Sequence, residues 1–240
     1  MRRLSAAEAD QINRRFEGAP AEETLAWAMK EFGPRAALAS SFGAEDMVLV
    51  DMLAEIDRLA RIFFLDTGRL HQETYDLMDR ALACYGIKLE VYFPKAESVE
   101  RLVRTKGPNS FYRSVEDRKE CCRIRKVEPL QRALSTVDAW ITGLRRAQSP
   151  TRAELRTVEI DETHGGILKI NPLACWTEED VWRYIRANNV PYHKLHDQGY
   201  PSIGCVPCTR AIEPGEDIRA GRWWWEKPEH KECGLHGTGQ

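Results

Sequence analysis

No apolar run in the 240 residues approaches the length needed to span a bilayer, so no membrane-embedded role is expected. Excess charge of either sign is also missing. The 35 Lys and Arg stand against 37 Asp and Glu, a formal charge of -2, so no bulk field draws the chain to nucleic acid or anionic lipid, and any anion site must be local. Nothing repeats at a solenoid period and no block is of low complexity. The basic start Met1-Arg2-Arg3-Leu4 is followed by polar and acidic residues from Ser5 to Asp10, with no apolar segment behind it. No targeting peptide is evident, and a cytoplasmic protein is expected. The seven cysteines are an odd number, and Cys121 and Cys122 are adjacent, which is poor geometry for a mutual disulfide. In a reducing compartment such residues more often bind metal or do chemistry. With 42% hydrophobic and 30% charged residues, the chain can bury one sizeable core and carry an appendage.

Ser5-Ala6-Ala7-Glu8 has the form of a capping box and predicts a helix to about Phe16, and Pro20 begins a second. After Gly33-Pro34, Arg35–Ser41 reads as a buried strand and Asp46–Ile56 as a helix. Ile62–Leu65 reads as a strand, followed by a turn at Asp66-Thr67-Gly68 and a helix over Leu70–Cys84. Further strands are expected at Lys88–Phe93 and Ala139–Gly143, with helical pieces at Ser98–Arg104 and Asp117–Leu134 between them. Val158–Ile160 and Ile167–Ile170 pair as a small hairpin, and Thr177 caps a helix through Asn188. This alternation predicts an α/β fold: a mostly parallel sheet with helices on both faces, binding ligands at the carboxyl ends of its strands. From Gly199 the period fails, so the expected organisation is a domain over residues 1–198 and an irregular segment over 199–240.

The strongest chemical pattern is Cys121-Cys122 together with Cys205-Val206-Pro207-Cys208. Two thiol pairs can hold zinc or an iron–sulfur cluster. Adjacent helical residues point about 100° apart, which suits two atoms of a multi-iron cluster better than two corners of one tetrahedron. The competing reading makes Cys121 and Cys122 small buried residues and the C-x-x-C a separate redox pair. Cys84 and Cys175 have no partner at ligand spacing and read as core. Cys233, with His230, Lys231 and His236 nearby, is a candidate nucleophile, though on local sequence alone a tail cysteine without function stands level with it. Ser40-Ser41-Phe42-Gly43, before the acidic pair Glu45-Asp46, forms an anion cradle or an ordinary N-cap. Asp66, Thr67 and Gly68 add a second polar loop on the same sheet edge, where a ribose or purine would sit. Arg145, Arg146 and Arg152, with Arg219 and Arg222, offer bidentate donors to an anion, each against the alternative of a solvated surface. Trp223-Trp224-Trp225 reads as packing for the tail.

Taken together, Ser40 to Asp46, Leu65-Asp66-Thr67-Gly68-Arg69, Cys121 to Lys126, Gly143-Leu144-Arg145-Arg146, Cys205 to Cys208 and Glu232 to His236 resemble the assimilatory adenosine 5'-phosphosulfate (APS) reductases of the phosphoadenylyl/adenylyl sulfate reductase family. The resemblance implies an adenine nucleotide α-hydrolase-like fold. The Ser-Gly-Gly-x-Asp-Ser pyrophosphate loop of its ATP-cleaving relatives is replaced here by Ser-Phe-Gly-Ala-Glu-Asp, which argues against ATP cleavage. Members with both cysteine pairs carry a 4Fe-4S cluster, which assigns Cys121, Cys122, Cys205 and Cys208 as ligands and APS, rather than its 3'-phosphorylated form PAPS, as substrate. The resemblance further implies that Cys233 attacks the sulfate sulfur and that thioredoxin or a similar dithiol releases sulfite from the S-sulfocysteine, so that the tail must be mobile. Lys126, Arg152, Arg219 and Arg222 are the candidate substrate-binding cations, and His236 the helper of Cys233. Lys126, four residues after Cys122, would share its helical face. A PAPS-using reductase and a zinc-stabilised nucleic-acid module are the two competing readings; neither a nucleic-acid nor a membrane partner is expected, and a homo-oligomer is compatible.

Overall fold

Ser5 opens the first helix by a reciprocal cap: its Oγ accepts from the Glu8 amide at 3.3 Å while Glu8 Oε2 accepts from the Ser5 amide at 2.8 Å. The computed structural model describes residues 4–149, 152–227 and Leu235. Helices α1 (Ala6–Phe16) and α2 (Ala21–Phe32) precede β1 (Ala36–Ser40), α3 (Ala44–Ile56), β2 (Arg61–Leu65), α4 (Gln72–Tyr85), β3 (Leu89–Tyr92) and α5 (Ala96–Lys106). Then come α6 (Val115–Cys122), α7 (Glu128–Leu134), β4 (Ala139–Ile141), β5 (Val158–Asp161), β6 (Ile167–Ile170) and α8 (Glu178–Asn188).

The six strands form one sheet in the order β3-β2-β1-β4-β6-β5. β1 runs parallel to β2 and β4, and β4 parallel to β6; β5 is antiparallel to β6 at the edge. The expected hairpin is therefore a continuation of the main sheet. Every residue of β4 and β6 is buried, and four of the five in β1. Because successive side chains point to opposite faces, such runs require cover on both, as expected for an α/β fold. β1 lies between β2, which follows it in the chain, and β4, which comes much later. The strand order thus reverses between β1 and β4, the place where open α/β sheets bind ligands.

By its internal contacts the chain divides into two units. One holds Met1–Phe64, Asp76–Glu90 and Leu134–His193; the other holds Leu65–Tyr75, Val91–Ala133 and Lys194–Gln240. Three expectations change. The helix foreseen from Asp117 to Leu134 is interrupted by a π-helical turn at Arg123–Val127. Cys84 and Cys175 are exposed rather than core. Cys175 sits beside Arg146 Nη1 at 3.3 Å and Glu17 Oε1 at 3.6 Å, a polar setting that sequence spacing does not reveal. Of the three tryptophans, Trp223 is buried but Trp224 is 40% exposed. Among the described residues no helix is long and apolar enough to cross a membrane.

Candidate functional site

In the first unit, the loops after β1 and β4 meet at the strand-order reversal. Ser40 is buried, and its Oγ accepts from the Phe42 amide at 3.2 Å. Phe42 takes a left-handed backbone (φ 60°) while its side chain is fully buried, its ring 5.2 Å from Phe64. A bulky residue in that conformation is an outlier that its surroundings must enforce, and it sits where the chain turns into α3. The Ser41 amide and hydroxyl both donate to Asp46 Oδ2, at 2.6 and 2.7 Å. Burial pushes the Asp46 carboxyl up to about 6, against the pull of those Ser41 donors. Gly43 is the N-cap of α3 and offers no side chain.

From the β4 side, buried Arg145 donates through Nε to Glu45 Oε1 at 2.8 Å, and Gln148 Nε2 donates to the same oxygen at 2.9 Å. Arg152 in turn donates to Gln148 Oε1. Ser40, Ser41, Phe42, Gly43 and Arg152 are thus brought to one edge of the sheet, and the charge of Glu45 is met from within the loops. Gly143 is a steric requirement, since an added Cβ would lie 2.9 Å from Glu45 Cβ.

The second unit assembles the cysteines. Cys121 and Cys122 end α6, and Cys205 and Cys208 flank a tight turn at Val206–Cys208 that is closed by Cys208 N–H donating to Cys205 O at 2.9 Å. All four line one pocket of about 370 Å³, measured with its open mouth, together with Arg69, Arg118, Arg125, Lys126 and Trp223. Burial raises the Cys208 thiol to about 12, with Cys205 adding and Lys126 opposing; Cys121 is raised by burial as well. The π turn places Lys126 on this pocket, so the simple four-residue face spacing from Cys122 is not what brings it there.

Asp66, Thr67 and Gly68 turn toward the cysteine loop. Asp66 Oδ1 accepts from the Gly68 amide at 2.7 Å and from the Tyr75 hydroxyl at 3.1 Å. Thr67 Oγ1 lies 3.2 Å from Cys205 Sγ, within hydrogen-bond reach, and accepts from the Arg69 amide. Arg125 Nη1 donates to Thr67 O at 2.6 Å. Arg222 is buried over the Trp223 ring and donates to Ser202 Oγ and Ile203 O, both at 3.2 Å. The Arg219 carbonyl accepts from the Arg222 amide at 2.9 Å, which places the two close together. Cys233 and His236 lie outside the described residues.

The pocket's donor set, four cysteines, fits a thiolate-bound metal group. Arg69, Arg125 and Lys126 bring positive charge to the same pocket, as a negatively charged thiolate-bound group requires. Arg125 Nε and Trp223 Nε1 are buried donors without a partner among the described residues, suited to sulfur acceptors. Sequence reading missed Arg69 and Arg118 here. For Arg118 a signal existed: it precedes Cys121 and Cys122 by three and four residues, the spacing that shares a helical face.

Residues 35–211 match the family model described as the phosphoadenosine phosphosulfate reductase domain. The chain is 58% identical over 200 residues to the adenosine 5'-phosphosulfate reductase of Burkholderia cepacia, covering 83% of this chain and 80% of that protein. It is 56% identical over 198 residues to the adenosine 5'-phosphosulfate reductase of Allochromatium vinosum, covering 82% and 77%. Among solved structures it resembles the phosphoadenylyl-sulfate reductase of Candida auris in a phosphate complex, with a TM-score of 0.75, 33% identity, and coverage of 87% of this chain and 98% of that one.

Proposed function

The chain belongs to the phosphoadenosine phosphosulfate reductase family, and from that premise we propose that it is a thiol-dependent oxidoreductase reducing APS to sulfite and AMP in cytoplasmic sulfate assimilation. The observation that carries this reading is the convergence of Cys121, Cys122, Cys205 and Cys208 on one basic pocket. Those four residues would hold a 4Fe-4S cluster. Bound there, the cluster would supply a fixed charge centre and a covalent tie between α6 and the Cys205–Cys208 turn.

The remaining chemistry is assigned to the chain's own residues. Ser40 to Gly43 at the strand-order reversal and Asp66 to Gly68 hold the nucleotide. Lys126, Arg152, Arg219 and Arg222 donate to sulfate and phosphate oxygens, offsetting the charge that would repel a thiolate. Cys233, assisted by His236 in the 199–240 segment, attacks sulfur; its S–S bond forms as the S–O bond to the AMP phosphate breaks, and AMP leaves. A thiolate of thioredoxin or a similar dithiol then attacks Cys233 Sγ, expelling sulfite. Its second thiol closes the disulfide and frees Cys233, so both electrons come from the dithiol.

Visible absorption and metal content after oxygen-free purification test the proposal. About four irons per chain support it; about one zinc and no visible band overturn it. The likeness to a phosphoadenylyl-sulfate reductase makes PAPS the competing substrate, and turnover with the two nucleotides in competition decides between them.

A further inference from the structure

Arg118 and Glu226 form a buried ion pair that the chemistry above leaves unused. Their side chains are 1% and 3% exposed. Arg118 Nε donates to Glu226 Oε1 at 2.9 Å and Nη2 to Oε2 at 2.7 Å, a two-pronged contact, and the guanidinium lies 4.8 Å over the Trp223 ring. Arg118 stands on α6 one turn before Cys121 and Cys122. Glu226 closes a turn through its amide to Trp223 O at 2.8 Å, and the Trp223 amide donates to Cys208 O at 3.1 Å. The pair therefore pins the segment that leaves the cysteine loop onto the cysteine-bearing helix.

Burying two charges is costly, and an apolar pair would often stabilise the fold as well or better. What the two-pronged contact adds is a fixed position and orientation. Cys233 follows Glu226 by seven residues, so its reach is at most about 25 Å from that anchor. We propose that the Arg118–Glu226 pair is a positioning device for the Cys233 nucleophile, fixing the origin of its segment and so raising the rate of attack rather than the affinity for nucleotide. This rests on the assignment of Cys233 above.

The experiment uses the full-length, metal-loaded protein. It follows S-sulfonation of Cys233 by APS in a single turnover, AMP affinity by calorimetry, and amide hydrogen exchange over residues 224–227. For Glu226→Gln the adduct should form at least about tenfold more slowly, exchange should accelerate, and AMP affinity should stay unchanged; Glu226→Asp, which keeps the charge, should fall between it and wild type. An adduct rate at the wild-type level, or a parallel loss of AMP affinity and rate as a purely structural defect would give, overturns the proposal. If Glu226→Gln does not fold, Glu226→Asp decides by the same criteria. A wild-type protein that forms no adduct defeats the assignment of Cys233 itself, an outcome distinct from an adduct whose rate ignores residue 226.

Discussion

Glu45 Oε1 receives Arg145 Nε at 2.8 Å, an ion pair between the first turn of α3 and the loop after β4, with the arginine side chain 4% exposed and the glutamate 19%. These are the two loops that the parallel β1–β4 pairing sets side by side. An acid beside the proposed nucleotide site is a liability unless a cation within the fold meets it, and Arg145 is that cation.

Replacing Arg145 by Met should therefore destabilise the protein and weaken AMP binding together. Glu45 is left with Gln148 alone, at a cost of about 2 kcal/mol once its partial exposure is discounted. The double variant Arg145→Met/Glu45→Gln should recover most of the loss in urea melts. Additive losses in that cycle would show that the two residues act independently.

Two glycines leave room that a methyl group would fill. An added Cβ at Gly143 meets Glu45 Cβ at 2.9 Å and the Asp46 amide nitrogen at 3.2 Å, atoms close to the backbone of α3, and at Gly204 it meets Arg222 Cζ at 2.7 Å, in a buried guanidinium held by Ser202 and Ile203. Each alanine substitution should cost about 1–3 kcal/mol of stability. Gly204→Ala should in addition weaken APS binding by displacing Arg222. A Gly204→Ala variant with the wild-type urea midpoint and the wild-type APS affinity would contradict this.

The parallel core was legible because β1, β2 and β4 are short apolar runs whose punctuation by Gly, Pro and Asp is local. The edge pairing of β5 on β6 was legible only as a hairpin, since nothing within Val158–Asp161 says that β6 continues onto β4. The four cysteines could be read from spacing, as could Lys126, and Arg118 carries the helical spacing to Cys121 and Cys122; Arg69 could not, because it comes to the pocket from a segment far away in sequence. The π turn after Cys122 and the left-handed backbone of Phe42 are set by tertiary packing, and neither has a local propensity signature.

Cys208→Ser should abolish metal loading and visible colour. It should also loosen the Cys205–Trp223 region, because Cys208 O anchors the Trp223 amide in a turn whose side chain would no longer be tied. Iron analysis and amide exchange check the two halves separately. Full iron retention in the variant would remove Cys208 from the ligand set.

Asp46 predicts a pH dependence of definite sign. Burial holds its folded carboxyl at about 6, above the ordinary value of 3.8, despite the Ser41 donors. Well below pH 3.8 both folded and unfolded states are protonated and the group costs nothing. As the pH rises from 4 to 6 the unfolded chain ionises first, so stability falls by about 3 kcal/mol, and above about 6 the penalty is constant. Asp161 works in the opposite direction: burial, the largest single influence, would raise it, but the hydrogen bonds and attraction of His164 together with Lys169 outweigh burial and hold it down, so acid removes stability there. The wild-type profile alone therefore mixes the two signs. The difference between wild type and Asp46→Asn isolates Asp46: the variant should gain stability relative to wild type as pH is raised from 4 to 7. AMP affinity should also gain more from acidification in wild type than in the variant, because protonating Asp46 removes a negative charge beside the proposed nucleotide site. Urea melts and calorimetry at pH 4.5, 5.5 and 7, roughly spanning that range, read both differences, and a variant that tracks wild type across it would show that Asp46 is ionised throughout.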